Sequence, residues 1–395
     1  MSLTRLWCGA PTAGDLLRYP AAAGGTAAGV APGQGPVVVW NCTRACNLRC
    51  RHCYAEAAPG TAGELTTAEG RRLLEDLAAY RVPVVLFSGG EPLLRPDLFL
   101  LVAHAAERGI RPVLSTNGTL ITPAVARKLK ESGIAYIGIS LDGREARHDY
   151  LRGCRGAFGQ ALAGLRHCLA AGLKVGVRFT LTRENYQDLE AILDLIEKEN
   201  IPRACFYHLV PRGRASRLAR ALLAPAETRR ALEILLRRTE DLWRRGLATE
   251  ILTVDNHADG VYLYLKLRRL NPERAAQAYA LLLRNGGNRS GNALAAVDWE
   301  GNVHPDQFTL NHTLGNVRLR PFGQIWSDSS LPLLAALRQR RLRLQGRCRH
   351  CRWLEVCNGN LRARAEALTG DFWAADPGCY LTDEEIGLAG PPAAG

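Results

Sequence analysis

Three cysteines near the start of the chain have a spacing that could hold a metal centre. Cys46, Cys50 and Cys53 form a C-x3-C-x2-C pattern in the stretch WNCTRACNLRCRHCYAEA, residues 40–57. A structural zinc ion normally takes four protein ligands, and catalytic zinc usually recruits histidine or carboxylate. Three cysteines would instead leave one iron of a 4Fe-4S cluster open to a small chelating molecule. Cys42 precedes the pattern and is not assigned to it.

A second group of cysteines lies near the C-terminus. Cys348, Cys351 and Cys357 follow a C-x2-C-x5-C pattern, and Cys379 comes after a gap of 21 residues. Four thiolates fit either a closed zinc site or a fully ligated 4Fe-4S cluster. The spacing alone leaves both possibilities open.

The composition is that of an enzyme-sized globular chain. With 395 residues, 47% of them hydrophobic and 23% charged, it can bury a large core divided over two or three domains. The N-terminus lacks a signal-peptide pattern, and no apolar run approaches the roughly 20 residues that cross a bilayer. These features predict a cytosolic protein without a membrane partner, in which clustered thiols bind metal or do chemistry.

The formal charge of +13 does not by itself indicate nucleic acid. Only five residues are Lys, and the many Arg residues are spread along the whole chain without a basic run interleaved with aromatics. We therefore predict no nucleic-acid partner. A small polyanionic substrate fits the charge at least as well, and ordinary surface charge is the simplest explanation.

Six short apolar segments, often rich in β-branched residues, have the composition of strands buried on both faces. Helical patterns alternate with them, and Thr66 with Glu69 forms a capping box at the first helix. Six successive βα units predict an α/β fold, a partial (βα)6 TIM-like barrel with its reactive groups at the C-terminal strand ends. The predicted strands lie at residues 37–41, 84–88, 111–116, 136–141, 174–181 and 203–209.

The pattern changes along the chain. A Gly/Pro-rich stretch at 20–35 suits a flexible segment, and after Arg214 the βα alternation gives way to helices. The predicted regions are an N-terminal arm with the flexible segment (1–34), the barrel (35–215), a helical connecting region (216–295) and a region with the second cysteine cluster (296–395).

Three motifs follow successive predicted strands: SGGEP at 88–92, STNG at 115–118 and ISLDG at 139–143. Together with the cysteine loop after the first strand, they resemble the radical SAM enzymes. The resemblance implies that the three-cysteine loop binds a 4Fe-4S cluster whose open iron is chelated by S-adenosylmethionine (SAM). It further implies that SAM is cleaved to a 5'-deoxyadenosyl radical.

The resemblance also implies contacts with SAM. The Gly-Gly-Glu stretch would bind the methionyl amino group, Arg178 the carboxylate and His52 the adenine, while Ser, Asn and Asp residues would reach the carboxylate and the ribose. Asn117 could instead form only an Asn-Gly turn. The implied cofactor-binding residues are His52, Gly89, Gly90, Glu91, Ser115, Asn117, Ser140, Asp142 and Arg178.

The C-terminal cysteines resemble the SPASM-like extension of radical SAM enzymes. This resemblance favours a second, auxiliary 4Fe-4S cluster over zinc. With no protein ligand missing, electron transfer or a structural role is the expected function of that cluster. A reducing partner such as ferredoxin or flavodoxin is implied. The expected ligands are Cys348, Cys351, Cys357 and Cys379.

Longer stretches resemble the tetrapyrrole branch of the family, among them CFYHLVPRGRA (205–215), LTVDNHADGVYLYL (252–265) and GNVHPDQF (301–308). The resemblance implies that an iron tetrapyrrole, 12,18-didecarboxysiroheme, loses two acetate side chains to give iron-coproporphyrin III in the alternative haem pathway. An enzyme of haem d1 biosynthesis acting on the same substrate is an alternative. A peptide-modifying enzyme with a SPASM extension is another.

Five residues in these stretches are candidates for contacts with the substrate. Arg212 and Arg214 could pair with substrate carboxylates, because guanidinium groups bind carboxylates bidentately. His208, His257 and His304 could ligate the substrate iron or move a proton. A hydrogen-bonded structural role is the alternative for each histidine.

Overall fold

The computed structural model describes residues 1–20 and 29–388. Ten strands of this part of the chain form one sheet in the order β10-β9-β8-β1-β2-β3-β4-β5-β6-β7. Their bounds are β1 Val37–Thr43, β2 Val84–Gly89, β3 Arg111–Thr116, β4 Tyr136–Ser140, β5 Val175–Leu181, β6 Arg203–His208, β7 Glu250–Val254, β8 Leu294–Val297, β9 Asn302–His304 and β10 Gly315–Asn316.

Strands β1 to β7 are parallel to their neighbours in chain order, so their C-terminal ends meet at one edge of the sheet. The six predicted strands are all present, and the α/β fold is confirmed. The structure adds β7 beyond β6, and β8 pairs in parallel with β1 on the other side. The predicted boundary at residue 295 falls inside β8.

Helices cover the strands as the alternating pattern predicts. The capping box is present, because Thr66 Oγ1 accepts from the Glu69 amide at 3.3 Å and Glu69 Oε2 accepts from the Thr66 amide at 2.8 Å. The helices are α1 Leu3–Cys8, α2 Asp15–Arg18, α3 Thr67–Ala79, α4 Leu98–Glu107, α5 Pro123–Glu131, α6 Glu145–Arg152, α7 Ala157–Ala170, α8 Leu189–Lys198, α9 Pro225–Arg244, α10 Ala258–Leu270, α11 Pro272–Asn285, α12 Phe322–Ser327, α13 Pro332–Arg338, α14 Gly346–Arg349, α15 Leu354–Cys357, α16 Arg362–Thr369 and α17 Asp383–Ile386.

The core lies between the sheet and these helices. Trp40 on β1 is fully buried and its ring lies 5.5 Å from that of Phe87 on β2. Leu73, Leu74 and Leu77 of α3 are buried, as expected for one apolar helix face. This packing fixes the directions in which the strand ends present their side chains.

The two ends of the chain pack against β7 and its neighbours. Helix α1 contacts α9 and β7, and Ser2 forms a bridge with Leu252. Near the C-terminus, Asn360 Nδ2 donates to Asn256 Oδ1 at 2.8 Å, just beyond the end of β7. Residues 21–28 of the predicted flexible segment lie outside the described residues. Within the described ranges, no helix combines the length and the apolar character that a membrane span requires.

Candidate active site

A cavity with about 1090 Å³ of empty space lies where the parallel strands end. Most of the predicted site residues line it, although they come from the cysteine loop and from five strands or the turns that follow them. This is the arrangement expected for a barrel whose reactive groups follow the strands. The predicted residues in its wall are Cys46, Cys50, His52, Cys53, Gly89, Gly90, Ser115, Asn117, Ser140, Arg178, His208 and Arg214.

The Gly89–Gly90 pair holds the cysteine loop against the end of β2. The Gly90 amide donates to Thr43 O at 2.8 Å and the Glu91 amide donates to Ala45 O at 2.7 Å. A Cβ atom on Gly90 would lie 2.1 Å from Ala45 O, and Gly89 has φ +120°. Both positions therefore require glycine, because the loop backbone occupies the space of a side chain.

The thiols of this loop fit an iron-sulfur cluster with one open iron. All three are free cysteines on one cavity wall. Burial raises the pKa of Cys46 to about 12, and burial also raises the pKa of Cys50 although Arg152 opposes it. Such thiols become thiolates when a metal replaces the proton. Three soft ligands and a cavity beside them suit a cluster that also binds a small molecule.

Glu91 lies behind the cavity wall and organises the neighbouring strand end. It is fully buried, and its carboxylate accepts from Thr116 Oγ1 at 2.7 Å and from the Asn117 amide at 2.8 Å. Asn117 lines the cavity and also forms a turn, because its Oδ1 accepts from the Thr119 amide at 2.9 Å. Glu91 thus positions Asn117 in the cavity wall.

Asp142 is likewise fully buried behind the wall. Its carboxylate pairs with Arg152, lies 3.2 Å from His52 Nε2 and accepts from the Thr180 amide at 2.7 Å. Burial alone would raise the pKa of this carboxyl, but Arg152 and His52 lower it well below its usual range. Asp142 therefore fixes His52 and Arg152, which both line the cavity.

Arg178 presents a free guanidinium to the cavity. It stacks over the Tyr207 ring at 4.4 Å. Among the described residues, no acceptor bonds or pairs with this guanidinium, so it can bind an anionic ligand.

The substrate candidates separate into two groups. His208 lines the cavity and its Nε2 lies 2.9 Å from Asp259 Oδ2. Arg214 also lines it and holds the cysteine loop, donating to Cys50 O at 2.9 Å and to Ala57 O at 2.7 Å, while its buried Nη2 has no partner among the described residues. The substrate candidates outside the lining are Arg212, His257 and His304. Two of the predicted SAM-binding residues, Glu91 and Asp142, also lie outside it.

Among the substrate candidates outside the lining, Arg212 and His304 have side-chain partners elsewhere in the protein, whereas His257 Nδ1 is buried without one among the described residues. Arg212 pairs with Glu366 and donates to Ala363 O at 3.1 Å. His304 lies between His312 O at 3.0 Å and Asp298 Oδ2 at 3.2 Å. His257 lies at the start of α10, where burial lowers its pKa to about 3. These partners account for Arg212 and His304 without a ligand.

The cavity also contains residues that sequence reasoning did not single out: Tyr54, Tyr207, Asp255, Gln307 and Phe308. Tyr54 donates to Asn41 Oδ1 at 2.9 Å, and its ring meets Phe308 edge-on at 5.1 Å. Tyr54 follows Cys53 directly, and Asp255 follows an apolar β-branched run. A position directly beside a cysteine of the motif, or directly after a strand, is the sequence signal that could have identified Tyr54 and Asp255.

A second, smaller cavity with about 380 Å³ of empty space gathers the four C-terminal cysteines. Apolar side chains such as Val261 and Leu381 complete its wall. Burial raises the pKa of Cys379 to about 11 and that of Cys357 well above its usual value. Four free thiols around one apolar cavity, one of them on a buried residue and three on half-buried residues, fit a fully ligated cluster.

Fold and site together define an enzyme that uses a cysteine-bound iron-sulfur cluster at the end of a parallel barrel. The model of the Radical SAM superfamily matches residues 40–196, and that of an iron-sulfur cluster-binding domain, SPASM, matches residues 289–352. The chain belongs to the radical SAM superfamily. It is a radical SAM enzyme with two 4Fe-4S clusters and SAM as cofactors.

Two relatives match nearly the whole chain. Fe-coproporphyrin III synthase of Methanosarcina barkeri (strain Fusaro / DSM 804) is 50% identical over 98% of this chain and 99% of its own length. Pre-heme d1 synthase of Dinoroseobacter shibae is 44% identical over 90% of this chain and 88% of its own. Streptococcus suis SuiB bound to S-adenosylmethionine shares the fold, with a TM-score of 0.67 at 19% identity over 88% of this chain and 78% of SuiB.

Proposed function

We propose that this enzyme removes two acetate side chains from 12,18-didecarboxysiroheme and so produces iron-coproporphyrin III. The observation that carries the proposal is the 50% identity to Fe-coproporphyrin III synthase over almost the full length of both chains. The cavity supports it, because Arg214 lines the cavity and its Nη2, which has no partner among the described residues, can bind a ligand that carries several carboxylates.

When bound, the first cluster and SAM supply a 5'-deoxyadenosyl radical, which removes hydrogen atoms from unactivated carbon. The protein supplies position and exclusion of water. In this proposal the cysteine loop holds the cluster, His52 packs against the adenine and Arg178 binds the methionyl carboxylate. Asp142 and Glu91 act through the residues that they orient.

The electrons come from a reducing partner such as ferredoxin or flavodoxin, and the protein acts in the cytosol. In this proposal His208 faces the substrate, since it lines the cavity and is oriented by Asp259. Arg214 serves both the substrate and the cysteine loop. The second cluster transfers electrons or stabilises the C-terminal region.

The 44% identity to pre-heme d1 synthase favours one other candidate, an enzyme of haem d1 biosynthesis. Anaerobic turnover of 12,18-didecarboxysiroheme with SAM and a reductant separates the two. A porphyrin-type absorption spectrum with release of acetate and 5'-deoxyadenosine supports the proposal. An isobacteriochlorin-type spectrum in the product would instead support the haem d1 enzyme.

A further inference from the structure

Asp255 occupies a place in the cavity that no motif assigns. Strand β7 ends at Val254 and is parallel to β6, so Asp255 follows at the same sheet edge as the other site residues. Its side chain lines the cavity together with Arg178 and His208.

The backbone of Asp255 is held in an unusual conformation. Its φ of +66° lies in the left-handed region, which side chains other than glycine seldom adopt. Arg364 Nη1 donates to Asp255 O at 2.9 Å, and Arg364 is itself fixed by two bonds to Asp376 at 2.9 and 2.8 Å. The next residue, Asn256, donates to Gly378 O at 2.9 Å. Strain maintained by several contacts is typical of functional positions.

The Asp255 carboxylate is free to act on a ligand. Within residues 29–388 and the described N-terminal part, no group donates a hydrogen bond to it or pairs with it. Burial raises the pKa of Asp255 to about 6, with Arg364 opposing the shift and Asp306 adding to it. A carboxyl group whose pKa lies close to neutral pH can both hold and release a proton, which suits general acid catalysis.

We propose that Asp255 is the catalytic acid that protonates the carbon fragment expelled from the substrate. The inference rests on the proposed function. It adds a residue from β7 to a site that the motifs place on β1 to β5.

The expelled arm requires this proton to become acetate. Loss of one hydrogen atom leaves a substrate radical next to the ring carbon that bears the arm. The C–C bond to the arm then breaks homolytically, so that one of its electrons completes a new C=C bond and the arm leaves as •CH2COO⁻. The fragment takes one electron from the ferredoxin- or flavodoxin-type donor and one proton from Asp255, and becomes acetate. Asp255 recovers its proton from water before the second arm leaves.

The test compares wild type with Asp255→Asn under anaerobic turnover, measuring 5'-deoxyadenosine, acetate and the pigment spectrum. Asparagine has nearly the same shape and tolerates a left-handed conformation. We expect 5'-deoxyadenosine formation within about twofold of wild type and acetate release slower by about 100-fold or more, the range for loss of a general acid. Asp255→Gly, which also tolerates φ +66°, should behave likewise. The control Asp241→Asn, on the exposed face of α9, should match wild type.

In D2O the wild-type acetate should carry one deuterium in its methyl group. Acetate without deuterium would overturn the inference, because the hydrogen would then return from 5'-deoxyadenosine. Equal acetate release by Asp255→Asn and wild type would also overturn it and leave the proposed function intact. Loss of 5'-deoxyadenosine formation in Asp255→Asn would overturn it too, by placing Asp255 in cofactor binding. A wild type that releases no acetate would refute the proposed function and the inference together.

A measurement without turnover gives an independent result. The infrared difference spectrum between substrate-bound wild type and Asp255→Asn at about pH 5, below the pKa of Asp255, should contain the band of a protonated carboxyl group, shifted in D2O. If only a carboxylate band is present, Asp255 cannot be the acid.

Discussion

Arg178 shows how one side chain can be prepared for a ligand. Its guanidinium lines the cavity, stacks on Tyr207 and is not neutralised by any carboxylate among the described residues. A charge-assisted hydrogen bond contributes about 1.5–3 kcal/mol. We expect Arg178→Gln to weaken SAM binding by roughly 10- to 100-fold, measured by calorimetry on the anaerobically reconstituted protein.

The matched control for Arg178→Gln is Arg166→Gln. Arg166 is exposed on α7 and pairs with Glu199 at 2.6 Å, so its loss should leave SAM affinity unchanged. The thermal midpoint of Arg178→Gln should change little, because Arg178 makes no hydrogen bond or ion pair among the described residues and loses only its stacking on Tyr207. SAM affinity equal to wild type would mean that Arg178 serves the substrate or neither ligand.

Asp142 has the opposite role, because its charge is fully paired inside the protein. Asp142→Asn leaves Arg152 buried without its partner, so we expect a loss of about 3–5 kcal/mol in the free energy of unfolding at pH 7. The folded-state pKa is depressed, so the carboxylate stabilises the fold above its unfolded pKa of about 3.9 and this contribution is lost as pH falls. The difference between wild type and variant should therefore shrink below about pH 4.

Urea unfolding of the cluster-free protein at several pH values measures this difference. Asp194→Asn is the control, since Asp194 is an exposed partner of Arg238 and should cost less than about 1 kcal/mol. A pH-independent difference for Asp142→Asn would contradict the ion-pair explanation.

The sequence motifs predict most of the cavity wall but not the direction of each side chain. Ser115 and Asn117 follow β3 and do line the cavity. Glu91 comes from an equally clear motif, yet its carboxylate lies behind the cavity wall and accepts hydrogen bonds from Thr116 and Asn117. A motif fixes where a residue lies along a strand end. Its hydrogen-bond partners come from other strands and cannot be deduced from local sequence.

At the scale of elements, the junction of β1 and β2 determines whether the first cluster can form. A Cβ on Gly90 would meet the backbone at Ala45 O and displace the cysteine loop. We expect Gly90→Ala to lose roughly four irons per chain after reconstitution, with the second cluster retained. Iron and sulfide analysis combined with electron paramagnetic resonance measures this loss.

Gly159→Ala is the control for this substitution. Gly159 lies in α7 with open space around it, so a methyl group there should leave the iron content unchanged. Full iron content in Gly90→Ala would show that the loop can move aside.

The strand pattern predicts the six barrel strands but not β7 and β8, which flank them in the sheet. The six predicted segments are short apolar runs, each followed by a helix. Strand β7 has a similar run, EILTV, but it lies between two helical segments, so the alternation of strands and helices does not predict it. Strand β8 contains two alanines and pairs with β1, more than 250 residues earlier in the chain. Such a distant pairing leaves no signal in a local pattern.

At the scale of the whole molecule, the second cluster region supports the first cavity. The segment between Cys357 and Cys379 contains Asn360, which bonds Asn256, and Arg364, which bonds the Asp255 carbonyl. Two predicted ligands of the second site, Cys357 and Cys379, therefore flank the segment that holds the end of β7. The cysteine spacing predicts the second site, but only the folded chain shows that the site supports the cavity.

Replacing Cys357 should weaken tetrapyrrole binding but leave SAM binding intact. In Cys357→Ser we expect roughly four fewer irons per chain, a lower thermal midpoint and weaker tetrapyrrole binding, because the segment that fixes Asp255 and Asn256 is released. SAM binding should persist, since its predicted contacts lie on β1 to β5. Absorption titration with the tetrapyrrole and calorimetry with SAM measure the two affinities. Cys154→Ser, outside both clusters, should retain all iron. Unchanged tetrapyrrole affinity in Cys357→Ser would show that the end of β7 holds its conformation without the second cluster.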